Sequence, residues 1–133
     1  MARRLALQID LEDRAPTEAR AALNALAGDL EPDLLSDLRL VITELVANSV
    51  RHSGVQTGTV EITVRTVRPS QVRAEVADPG PGFKAVVSAP DPTRSFGLGL
   101  YIVDKLSNRW GVRDDGPSRV WFELRRDASP GAA

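Results

Sequence analysis

Three short stretches of the chain put polar or flexible residues where chemistry can be done. In the first, Glu44, Asn48 and His52 follow one another at i, i+4 and i+8. At about 100° per residue they form a narrow polar stripe on a helix, with Arg51 beside it and an apolar face at its border. A carboxylate partly shielded from water suits a general base, and the amide oxygen one turn further on suits a hard, oxygen-ligated cation such as Mg²⁺. Taken alone, the segment fits a solvated helix face closed by a histidine cap better, because polar residues at i and i+4 are ordinary in helices.

The second stretch, Asp78-Pro79-Gly80-Pro81-Gly82-Phe83, sets a carboxylate at a strand end and follows it with alternating glycines. Such backbone can approach a ligand closely, although a plain turn accounts for the stretch about equally well. A carboxylate accepts from the exocyclic amine of adenine, whereas guanine presents a carbonyl there, so Asp78 would favour ATP over GTP. The third stretch, Arg94-Ser95-Phe96-Gly97-Leu98-Gly99-Leu100, runs two glycines into a helix. The first N–H groups and the dipole of that helix favour phosphate. It is not a P-loop, because the Gly-Lys-Ser/Thr ending is absent, nor a Rossmann fingerprint, because the flanking strand and third glycine are missing.

Composition narrows the remaining choices. The chain has 133 residues, 42% of them hydrophobic, with a formal net charge of −1, a single histidine and no cysteine. That length fits one domain able to bury its own core without staples. Thiol nucleophiles, Cys-ligated zinc, iron–sulfur clusters and disulfide frameworks are excluded by count. The near-neutral charge argues against non-specific binding to nucleic acid or anionic membrane. No apolar run reaches membrane-spanning length, and the N-terminus lacks a signal-peptide stretch, so a cytoplasmic location is expected.

These stretches must be held by elements that the hydrophobic pattern outlines. Alternation from Arg4 to Leu11 predicts a strand, with Leu5, Leu7, Ile9 and Leu11 on one face. Pro16 opens a predicted helix to about Leu30, and Pro32 opens a second to about His52, with Leu34, Leu38, Val41, Ile42, Leu45 and Ser49 along its stripe. Thr59 to Thr66 and Gln71 to Ala77 alternate and predict an antiparallel hairpin. A loop runs through Phe96. Gly97 to Ser107 predicts a third helix with Leu98, Ile102 and Leu106 on one face and Val103 beside them, and Arg109 to Arg113 and Arg119 to Arg125 predict two closing strands. Residues 1–126 are expected to form the domain and 127–133 a disordered tail. The element order implies a two-layer α/β sandwich, a mixed and largely antiparallel sheet covered on one face by three helices.

In combination the three stretches are specific. Glu44-Leu45-Val46-Ala47-Asn48-Ser49-Val50-Arg51-His52 resembles the N box of the gyrase, heat-shock chaperone, histidine kinase and MutL-type (GHKL) ATPases. Asp78-Pro79-Gly80-Pro81-Gly82 is similar to their first glycine box and Gly97-Leu98-Gly99-Leu100 to their second. Within that superfamily, the short segment from Phe83 to Phe96 and the closing Val120-Trp121-Phe122-Glu123-Leu124 look most like stand-alone anti-sigma-factor serine/threonine kinases.

The resemblance implies a Bergerat-type ATP-binding fold using ATP and Mg²⁺. It implies that Glu44 orients or deprotonates the attacking hydroxyl, that Asn48 ligates Mg²⁺ and that Asp78 binds adenine. Gly80 and Gly82 would line the nucleotide pocket, and Ser95, Phe96, Gly97, Leu98 and Gly99 would cradle phosphates. Arg51 and Arg94 are candidate charge partners. The implied partners are a sigma factor and a STAS-type anti-anti-sigma protein, with a possible homodimer through the first strand and helix, and without direct contact to nucleic acid or membrane. One departure stands out: the family commonly has Gly-x-Thr before the last strand, where this chain has Gly116-Pro117-Ser118-Arg119. Ser118 then either offers a displaced hydroxyl or the adenine contact is lost. The alternative to a kinase is a nucleotide-binding module that regulates by contact alone.

Overall fold

Alternating strands and amphipathic helices of this kind can hide their apolar faces only against one another, and they do so in two layers. The computed structural model describes residues 3–52, 58–78, 98–113 and 118–126. In chain order the elements are β1 (Arg3–Asp10), α1 (Ala15–Ala22), α2 (Pro32–His52), β2 (Thr59–Arg68), β3 (Gln71–Asp78), α3 (Leu98–Leu106), β4 (Arg109–Arg113) and β5 (Ser118–Arg125). The five strands form one sheet in the order β1-β2-β3-β5-β4. Every pairing described is antiparallel.

The three helices lie on one face of the sheet. α2 packs on β3 and β5 and is flanked by α1 and α3. Its predicted stripe is the spine of the core: Leu34, Leu38, Val41, Ile42, Leu45 and Ser49 are all buried. They meet Val60, Ile62 and Val64 of β2, Val72, Ala74 and Val76 of β3, and Val120, Phe122 and Leu124 of β5, which alternate inward as the period of two requires. No helix among the described residues is long and apolar enough to cross a membrane.

The first helix is shorter than its periodicity predicts. It closes at Ala22 and tightens into a 3₁₀ turn over Leu23–Leu26. Ala27 is then extended and Gly28 takes a φ of 93°, a backbone state that glycine adopts without a Cβ penalty. Leu26 and Leu30 are buried all the same, so the apolar spacing reported burial correctly although the α-helix had already closed at Ala22. In α3 the most buried residues are Leu100 and Val103, with Ile102 and Leu106 packed at the margin. Leu100 thus joins the predicted residues in the core, where α3 meets α2 and β4. The strand limits differ from the predicted ones by one or two residues; the end of β3 matters, since Asp78 is the last residue of the strand and not the first of the loop.

Candidate functional site

α2 carries Glu44 and Asn48 on its C-terminal half, both half-buried, one turn apart at the border of the apolar stripe. The helix is twenty-one residues long, and its leucines and valines anchor it so firmly on the sheet that this polar border has a fixed place. Arg51 lies in its last turn. Asp78 ends β3 and is only 2% exposed. The inward alternation of β3 gives way there, with Val76, Ala77 and Asp78 buried in succession. Ser118 opens β5 and is the register partner of Asp78. The backbone of Ser118 is therefore set directly across from that of Asp78 on the neighbouring strand.

Topology brings these parts to one end of the sandwich. β2 starts at Thr59, soon after α2 ends at His52, and Glu61 near its start pairs with Ala77 near the end of β3. The C-terminal half of α2 and Asp78 therefore share an end. α3 finishes just before β4, whose Arg109 is aligned with Glu123 and through it with Arg73, toward the far end of β3. A helix of nine residues, about 13 Å long, that packs on α2 and β4 runs back from there, so Leu98 and Gly99 at its start lie toward the Asp78 end. Gly80, Gly82, Arg94, Ser95, Phe96 and Gly97 lie outside the described residues, as do the loop from Pro79 to Phe96, the link Asp114-Asp115-Gly116-Pro117 and the tail 127–133.

Asn48 and Asp78 are both engaged in interactions within the protein. One further group belongs here. Ser49, on the apolar stripe next to Asn48, is 1% exposed, and its Oγ has no hydrogen-bond partner among the described residues. A buried hydroxyl without a partner costs free energy comparable to a lost hydrogen bond. The signal for it was in the sequence: a serine one turn after Leu45, at a position the helical period assigns to the core. A buried carboxylate at the end of β3 is a group of the kind that accepts from an exocyclic amine, so Asp78 suits the base of an adenine nucleotide. Among the described residues no three His, Cys, Asp or Glu side chains gather to hold a metal ion.

The sequence from residue 9 to residue 124 matches the family described as the histidine kinase-like ATPase domain. This chain belongs to that family. It is thus an ATP-binding domain of kinase or ATPase type on a GHKL fold. Among solved structures, the RsbU and RsbW domains of Rv1364c from Mycobacterium tuberculosis superpose with a TM-score of 0.66 at 16% identity, covering 92% of this chain and 32% of that one. The histidine kinase domain of the blue-light activated histidine kinase from Erythrobacter litoralis EL346 gives a TM-score of 0.49 at 17% identity, over 84% of this chain and 59% of that one. The chain spans about a third of the length of the first and under two thirds of the second. No significant match was found among curated protein sequences.

Proposed function

We propose that this histidine kinase-like ATPase domain is a regulatory protein kinase of the anti-sigma-factor type. It binds ATP with Mg²⁺, holds a sigma factor, and phosphorylates a serine or threonine of a small STAS-type anti-anti-sigma protein in the cytoplasm. The observation that carries the reading is the gathering of Glu44, Asn48, Asp78 and the start of α3 at one end of the sandwich. The fold likeness to a structure that includes an RsbW domain supports it.

Bound ATP would supply the phosphoryl group and bound Mg²⁺ the charge that neutralises its oxygens; phosphoryl transfer then asks the protein mainly for positioning. Asp78 and Ser49 select and orient the base, Asp78 by accepting from the exocyclic amine. The backbone N–H groups at the start of α3, together with Ser95, Phe96 and Gly97 before it, hold phosphate oxygens, with Arg51 and Arg94 as charge partners. Gly80 and Gly82 leave room for the nucleotide, and Ser118 contributes to binding it from the register position across from Asp78. Asn48 offers an amide oxygen to Mg²⁺, which characteristically leans on substrate phosphates rather than on an all-protein cage. Glu44 takes the proton of the acceptor hydroxyl as that oxygen bonds to the terminal phosphorus and ADP departs. A homodimer through β1 and α1 remains part of the proposal.

The test separates chemistry from binding. With γ-labelled ATP and a STAS-type acceptor, Glu44→Ala is expected to lose transfer by about 10²–10⁴-fold while still binding ATP. Asp78→Asn is expected to weaken ATP binding itself by about tenfold or more, the worth of a hydrogen bond to a charged group. Equal loss of binding in both variants, or undiminished transfer by Glu44→Ala, overturns the assignment.

A further inference from the structure

The face of the sheet turned away from the helices carries its own pattern. Register aligns Arg4 of β1 with Arg65 of β2, and Arg65 with Arg73 of β3. Directly opposed residues share a face with Cβ atoms about 5 Å apart, and like charges so placed destabilise a sheet. Among the described residues no carboxylate forms an ion pair with any of the three. Together with Arg3, Thr63 and Glu75 they line a depression of about 330 Å³. Glu75, the only acid at its rim, is committed to Arg119 at 3.0 Å, and Arg3 to Asp29 at 2.8 Å.

Beside this row, Trp121 of β5 lies half-buried on the same face. The Arg73 guanidinium sits 4.6 Å from the centre of its ring and that of Arg109 5.9 Å away. The indole has room because its register partner on β4 is Gly111, where a Cβ would stand 2.7 Å from Trp121 Nε1. A tryptophan framed by arginines is the composition of an interface anchor. Local rules broken at a cost to the fold are where function is to be sought.

We propose that this open face docks an acidic segment of a partner protein, its carboxylates received by Arg4, Arg65 and Arg73 and an apolar side chain by Trp121. Charge complementarity selects an acidic occupant. Glu61, Glu75 and Glu123 interrupt the face in neighbouring register positions, which suits a segment with a few localised charges and opposes a continuous polyanion. A second copy of this chain centred on the row would set arginines against arginines. The proposal does not depend on the nucleotide reading, since the row lies on the face opposite α2.

The test uses the full chain with a labelled oligoglutamate peptide and, separately, an oligouridylate RNA, followed by fluorescence anisotropy at low salt. The peptide is expected to bind better than the RNA. Arg65→Glu, which interrupts the row at its centre, is expected to lower peptide affinity about tenfold. As an independent readout, Trp110→Phe leaves Trp121 as the sole tryptophan of two, and its emission is expected to change as peptide binds. Tighter binding of the RNA, peptide affinity undiminished in Arg65→Glu, or Trp121 emission indifferent to bound peptide overturns the proposal.

Discussion

The two faces of the sheet are built from the same strands and obey different rules. On the covered face every second residue of β2, β3 and β5 is apolar or nearly so, and it fills the space beneath α2. On the open face the alternate positions hold arginines, glutamates and one tryptophan, and three arginines stand in line without acids between them. The first face is governed by exclusion of water and close packing, the second by charge carried on an uncovered surface. Stability therefore resides chiefly on one side, so substitutions on the two sides should differ in size and even in sign.

The largest effect is expected from Phe122, a fully buried side chain of β5. Phe122→Ala should cost about 3–5 kcal/mol in chemical denaturation, by lost burial and the cavity left behind. A loss under 1 kcal/mol, on the order of a surface substitution, would break the contrast. Next comes Gly111→Ala, whose new Cβ meets the Trp121 indole at 2.7 Å. Its cost should be about 1–3 kcal/mol, as for other overpacked sites, with a shift in tryptophan emission as the ring leaves the sheet. Unchanged emission would show that the indole does not need the glycine.

Thr66 sharpens the comparison, because it occupies a covered-face position in β2 and is 2% exposed. Its Oγ accepts the Arg3 N–H at 2.9 Å and donates to the Arg3 carbonyl at 3.1 Å, pinning the start of edge strand β1. Thr66→Val should cost about 1 kcal/mol, with faster amide exchange at the start of β1. The smallest effect carries the opposite sign. Arg65→Glu replaces two like-charge neighbours by two attractive ones and should raise stability by about 0.2–1 kcal/mol. A clear destabilisation would mean that the arginine row supports the fold.

Much of the covered face was legible in the sequence, because a period of two in β2, β3 and β5 and a period near four in α2 follow directly from burial on one side. The end of the first helix was less so: Leu26 and Leu30 keep helical spacing although Gly28 has turned the chain. In α3 the burial of Leu100 was the part that periodicity did not supply, since it does not say how many neighbours a helix meets. Asp78 and Asn48 could be singled out by residue type and spacing. Their meeting with the start of α3 at one end needed the strand order β1-β2-β3-β5-β4, and so did the pairing of Ser118 with Asp78. Ser49 was visible as a core position, but only the structure shows that its buried hydroxyl lacks a partner among the described residues. The arginine row was hidden for a similar reason: Arg4 lies far from Arg65 in sequence, and only register lines it and Arg73 up with Arg65.

The central claim is that the buried carboxylate at the end of β3 reads adenine in a site completed by Asn48. It is tested most directly by calorimetric titration of the chain with ATP and with GTP, each with and without Mg²⁺. ATP is expected to bind more tightly with Mg²⁺ than without it, and GTP more weakly than ATP by about tenfold or more, since a carbonyl would face the Asp78 carboxylate. Equal affinity for the two nucleotides, or no binding of ATP at millimolar concentration, would contradict it.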